Sequence, residues 1–218
     1  MASASDSAPQ DHAVEPARSR GGYAKGIARR QEILDRAIEV FASRGSERTS
    51  LRSIAQEVGV THGALSHYFG SLEELLVEVY RESDRQVERR HPEPVDVTPV
   101  ELMRESAQRN RGVPGLVALY STLVASALEE GHFAAREFAT TRFAHLRADL
   151  AERVRQNQQS GRMRADVDPD AVAALVIAAS DGLQTQWLLE PAVDEQGALT
   201  LLDDLLRPHA AGRMSSDD

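Results

Sequence analysis

The 218-residue chain contains no cysteine. That excludes disulfide staples, thiol nucleophiles and cysteine-ligated zinc. No apolar run approaches the roughly 18 residues that a membrane span needs. The opening stretch MASASDSAPQDHAVEPARSRGG has no apolar h-region and does not read as a secretory signal. A cytoplasmic location, without membrane association, is therefore expected. The seven histidines form no His-x-x-x-His or His-Glu-x-x-His spacing, so no metal site is expected. No Ser-His-Asp ordering, phosphate-cradling glycine loop or spaced carboxylate pair stands out. The chain is read as a non-enzyme without a cofactor.

Hydrophobic residues at 41% and charged residues at 27% suit a globular protein with a core. Strand-like alternation is absent, and helical periods run almost throughout, so the fold class is all-α. In 27–44 the apolar residues Ile33, Leu34, Ala37, Ile38 and Phe41 recur at a 3.6-residue period, with Gly45 as the stop. Ser50 can cap a second helix bearing Leu51, Ile54, Ala55 and Val58, which Gly59 ends. Thr61 caps a third, to about Phe69. Ser71 with Glu74 makes a capping box for a fourth, to about Arg90. Further helices are expected near 99–110, from Pro114, over about 134–159, from Asp168-Pro169 to Pro191, and over about 195–207. Residues 1–22 and 211–218 are too polar to bury surface against chain entropy and read as disordered tails. They flank a small unit at 23–70 and a larger one at 71–210.

Net charge is −9. Its distribution says more than its sum. Segment 18–69 holds nine Lys and Arg against five Asp and Glu, while 70–218 holds 16 against 26. A small basic unit on a larger acidic one is what a local nucleic-acid footprint looks like.

Two short helices joined by a glycine-containing turn make a helix-turn-helix, whose second helix enters the major groove. Leu65 and Phe69, i and i+4, face inward with Ala64. His62 with Ser66, and Gly63 with His67, then share the outer face. Thr61, His62, Gly63, Ser66 and His67 become base-edge candidates. Tyr68 suits a phosphate contact, and Gly63 permits close approach.

The stretch ILDRAIEVFASRGSERTSLRSIAQEVGVTHGALSHYFGSLEELL resembles the DNA-binding domain of TetR-family transcriptional regulators, ungapped over about 27–80. Matching points include Ala37, Phe41, Gly45, Thr49-Ser50, Ile54-Ala55, Gly59-Val60, Leu65, His67-Tyr68-Phe69, Ser71, Glu74 and Leu75. The resemblance implies an N-terminal three-helix DNA-binding domain and a C-terminal helical ligand-binding and dimerisation domain. Arg48, Thr49, Ser50 and Arg52 complete the expected DNA-binding set. The chain departs at Ser66 and Leu72, where many relatives carry Tyr and Lys that touch phosphate. Arg48, Arg52 and the basic stretch Arg18–Arg30 can compensate.

The resemblance further implies a homodimer built from the last two helices of each subunit. Leu175, Ala179, Asp181, Leu183, Leu202 and Leu206 are expected at that interface, with Asp181 as a polar contact across it and an effector contact or simple exposure as the alternatives for that residue. Met103, Tyr120, Phe138, Phe143 and Trp187, with Arg142 and His145 as polar groups, are candidates for an effector pocket. Plain helix packing is the alternative for each apolar residue, and a surface role for Arg142 and His145. The leading expectation is a ligand-responsive repressor on a palindromic double-stranded DNA operator, released by a small molecule of unknown identity. An activator, or a regulator answering a protein partner, fits the same residues. An all-α small-molecule binding or enzymatic protein without sequence-specific DNA binding is the alternative from another class.

Overall fold

The computed structural model describes residues 19–44, 51–92 and 96–208. Among these residues there are nine α-helices and no strand: α1 Ser19–Arg44, α2 Leu51–Val58, α3 His62–Phe69, α4 Leu72–Arg90, α5 Pro99–Asn110, α6 Pro114–Ser126, α7 Phe133–Gln159, α8 Pro169–Leu189 and α9 Glu195–Leu206.

Local chemistry fixes most of these boundaries. The Thr61 hydroxyl accepts the Ala64 amide at 3.1 Å to open α3. Gly70, at φ +75°, closes it by donating its amide to the Ser66 carbonyl at 2.9 Å. Glycine alone takes that left-handed turn cheaply. Asp168 and Asp194 cap α8 and α9 in the same way, at 2.8 and 2.9 Å. Thr98 and Glu101 form the reciprocal capping box of α5.

Two local expectations are corrected. The Ser71 hydroxyl accepts the Glu74 amide, but the reciprocal half of the box is missing, because the Ser71 amide already donates to the Phe69 carbonyl at 2.9 Å. Helix α1 begins at Ser19, inside the stretch expected to be disordered. Gly21, Gly22 and Gly26 each cost roughly 1 kcal/mol there. They do not stop a helix already nucleated on Ile33, Leu34 and Ala37. Gly45 and Ser50, the expected stop and cap, lie outside the described residues.

One core runs from the N-terminal helices into the larger bundle. Ile33, Leu34 and Phe41 of α1 join Leu65 and Phe69 of α3, Leu75 and Val79 of α4, Leu119 and Leu123 of α6, and Phe138 of α7. A second core joins Val100 and Leu102 of α5, Leu150 and Val154 of α7, Val172 and Val176 of α8, and Leu199 of α9. Among the described residues only α8 is long and apolar enough to cross a membrane. Here it packs along α7 and places Val172, Ala173, Val176 and Ile177 in the interior.

Candidate nucleic-acid interface and ligand cavity

Helices α2 and α3 are clamped by the turn between them. Gly59 takes φ +74° and the Val60 amide donates back to the Ala55 carbonyl at 2.9 Å. Burial of Leu65 and Phe69 then fixes the rotation of α3. Thr61, His62, Gly63 and His67 are exposed as a result, and Ser66 and Tyr68 are half-buried. The His67 and Tyr68 rings meet edge-on at 5.4 Å, and Tyr68 packs against the core. A Cβ at Gly63 would meet nothing within 4 Å, so internal packing does not demand glycine there. Arg48, Thr49 and Ser50 lie outside the described residues, as does the side chain of Arg52.

Arg30 of α1 holds the back of this unit. Its guanidinium lies 4.8 Å from the centre of the Phe69 ring and bonds Glu78 of α4 at 2.8 Å. Arg81 bonds the other Glu78 oxygen at 3.1 Å. Burial works against the Glu78 charge, but the bonds from Arg30 and Arg81 prevail and hold its carboxyl below the usual range.

Farther along α4, Tyr80 and Asp84 face the interior. Between α4, α5, α6, α7 and α8 lies a cavity of about 110 Å³. The Tyr80 and Tyr120 rings stack at 5.2 Å, with Phe138 edge-on to Tyr80 at 5.5 Å. Arg142 lies over both tyrosine rings, at 5.1 and 5.3 Å, and donates to Asp84. Burial disfavours the Arg142 charge, but the surrounding tyrosines and Asp84 outweigh it and keep the guanidinium protonated. The Tyr120 hydroxyl donates to Asp181 at 3.0 Å. Burial pushes the Asp181 carboxyl above its usual range, against the opposing pull of Tyr120 and Arg142. Burial likewise pushes both tyrosine hydroxyls up.

The expected effector residues separate here. Met103, Tyr120 and Arg142 line this cavity, while Phe138 and His145 line an adjoining cleft of about 390 Å³. Phe143 packs between the two cores and Trp187 is buried under Arg111, so neither lines the cavity. Sequence reasoning missed Tyr80, Asp84, Asn110 and Gln184. The i, i+4 spacing of Tyr80 and Asp84, on the helix that links the two parts, was the available signal.

The expected dimer residues separate as well. Leu175 is exposed, whereas Ala179, Leu183, Leu202 and Leu206 are half-buried against the chain's own core. Asp181 bonds within its own subunit and lines the cavity. Its partner Tyr120 is 61 positions away, and an acid in an apolar run does not reveal such a partner. The large apolar side chains that α8 and α9 leave exposed are Leu175, Leu189, Leu201 and Leu205, at 62, 82, 61 and 61%.

A rigid helix-turn-helix with a bare outer face, joined by one helix to a domain with a polar cavity, defines a DNA-binding transcriptional regulator with a ligand domain. Residues 33–79 match the family described as bacterial regulatory proteins, tetR family. Residues 101–210 match the C-terminal domain of BetI-type transcriptional repressors. The chain belongs to the TetR family, and it is a ligand-responsive transcriptional repressor. It is 28% identical over 190 residues to the HTH-type transcriptional repressor Rv1474c of Mycobacterium tuberculosis, covering 81% of this chain and 90% of that one. Over 55 residues it is 42% identical to the HTH-type transcriptional repressor KstR2 of Mycolicibacterium smegmatis, 25% of this chain and 27% of that one. A crystal structure of a TetR-family regulator from Rhodococcus sp. shares the fold, with a TM-score of 0.66 at 23% identity, covering 82% of this chain and 98% of that one. Regulators of this family are in general DNA-binding proteins and not enzymes.

Proposed function

We propose that two copies of the chain pair through α8 and α9 and read a near-palindromic operator, one half-site per α3. The paired chains would act in the cytoplasm, where the chromosome lies. Thr61, His62, Gly63, Ser66 and His67 meet base edges, and Tyr68, Arg48, Thr49, Ser50 and Arg52 meet phosphate. The two recognition helices must match about one DNA turn, roughly 34–36 Å, or a multiple. The exposed leucines at 175, 189, 201 and 205 supply the apolar area for pairing.

The cavity between α4 and α8 receives the effector. One observation carries this reading: α4 forms a cavity wall through Tyr80 and Asp84, and only two residues, Gly70 and Ser71, separate its first turn from the end of α3. A ligand that favours a different position of α4 therefore moves α3. Driving the population from 99:1 to 1:99 takes roughly 5.5 kcal/mol of differential affinity.

The test is fluorescence anisotropy with DNA from upstream of the protein's own gene, against scrambled DNA, across a salt series. Wild-type protein saturates at one dimer per palindrome, and His67→Ala weakens binding by about tenfold or more. Equal binding of scrambled DNA, indifferent to His67, would sink the base-reading role of α3.

A further inference from the structure

The polar end of the cavity is not balanced. Asp84, Asp181 and Arg142 share it, and Arg142 donates through Nη1 to Asp84. Among the described residues Asp181 receives one side-chain hydrogen bond, from the Tyr120 hydroxyl at 3.0 Å, and no ion pair. With its carboxylates ionised, this group carries one negative charge in excess. A second cation in the cavity wall, Arg109, is one-third exposed and faces Glu105 at 3.9 Å. A half-buried carboxylate short of donors is costly to keep, because water solvates it only in part.

The walls suit the missing charge. Tyr80 and Tyr120 are stacked and already hold one cation, the Arg142 guanidinium, over their faces. Electron-rich ring faces attract organic cations, more so where water is excluded. An anion fares worse. The Nε of Arg142 has no acceptor, but an anion there would lie beside two carboxylates.

We propose that the effector is a small organic cation with N–H donors, a primary ammonium or a guanidinium, seated on Asp181 beside Tyr120 and Tyr80. This rests on the reading of the cavity as the effector site. The cation supplies the partner that Asp181 lacks. It also competes with Arg142 for the tyrosine faces and for Asp84, which loosens the bond between α7 and α4. An engineered cavity of roughly 150 Å³ holds benzene. By that measure the space here takes a head of about four non-hydrogen atoms. Arg142 belongs to the walls of both the cavity and the adjoining cleft, so a longer tail passes beside it.

The experiment is isothermal titration calorimetry of the full chain with four probes of similar size: n-butylammonium, tetramethylammonium, n-butanol and butyrate. Butylammonium is expected to bind at least about tenfold tighter than butanol, since a charge-assisted hydrogen bond is the difference between them. Tetramethylammonium, without N–H donors, falls below butylammonium, and butyrate shows no binding. Asp181→Asn, checked by circular dichroism and a cooperative melt, loses the preference for butylammonium over butanol.

The wild-type series decides the matter even where the variant misfolds. Butanol or butyrate binding as tightly as butylammonium, no probe binding, or an unchanged preference in folded Asp181→Asn overturns the proposal. Tetramethylammonium binding as tightly as butylammonium overturns the N–H requirement. Operator release is then measured with a library of neutral, anionic and cationic compounds. Release by a neutral or anionic compound, with butylammonium inert, leaves the effector site standing and removes the cation. If no compound of any charge binds or releases DNA, the effector-site reading falls too.

Discussion

Glu78 and Asp84 sit on the same helix, α4, and each pairs with an arginine from a neighbouring element. Their surroundings differ. Glu78 is held by two cations, Arg30 from α1 and Arg81 from its own helix, and Arg30 is itself seated on the Phe69 ring. Asp84 has one, Arg142 from α7, which lies over two tyrosine rings in a wall that also holds Asp181. Loss of one contact leaves Glu78 paired. Loss of one contact leaves Asp84 alone and strands two carboxylates near the cavity. Glu78 is thus fastened redundantly, whereas Asp84, on the face of α4 that lines the cavity, has a single ion pair among the described residues, within reach of a ligand.

The largest effect should come from the single bond. Arg142→Ala is expected to cost about 2–3 kcal/mol in urea denaturation, since it removes a half-buried ion pair together with contacts to two tyrosine rings. A loss near that of Arg30→Ala would erase the contrast between the two ends. Arg30→Ala removes a ring contact and one of two partners, and should cost about 1–2 kcal/mol. Combining it with Arg81→Ala should exceed the sum of the two single changes by about 1 kcal/mol, since only the double variant abandons Glu78.

Thr61→Ala probes the reader end without touching either pair. Loss of the cap on α3 should cost about 1 kcal/mol in the same measurement.

The smallest effects are in pH dependence, and Glu78 of α4 and Asp181 of α8 should run in opposite directions. The Glu78 carboxyl titrates below its ordinary 4.5, so its contribution is present above that pH and fades as pH falls through the lowered folded value. The Asp181 carboxyl titrates above its ordinary 3.8. Its contribution is complete below 3.8 and is lost as pH rises through the raised folded value. Chemical denaturation across pH should show Glu78→Gln flattening the acid-side loss, and Asp181→Asn flattening the decline above pH 3.8.

The same division governs what could be read from the sequence. Thr61, Asp168, Pro114 and Gly70 act within a few residues of themselves, so helix boundaries near them were legible. The outer face of α3 was legible too, because Leu65 and Phe69 fix its rotation. The start of α1 was not, because glycines weaken a helix without always ending it. The cavity was legible only in part. Tyr120 stood out as an aromatic in an apolar helix, and Arg142 as a charge near the apolar side of α7. Tyr80 and Asp84 were hidden among the charges of α4, and only packing against α6 and α7 turns them inward. Phe143 and Trp187 carried the same aromatic signal and went to the core instead.

Helix α4 has one further consequence, which is mechanical. Asp84 stands twelve residues from Leu72, about 18 Å along the axis at 1.5 Å per residue. A tilt of about 5° at Asp84 moves Leu72 by roughly 1.6 Å over that arm. A hydrogen bond to a base edge tolerates a window of about half an ångström. The arm therefore turns a displacement too small to break the core into one large enough to miss a base.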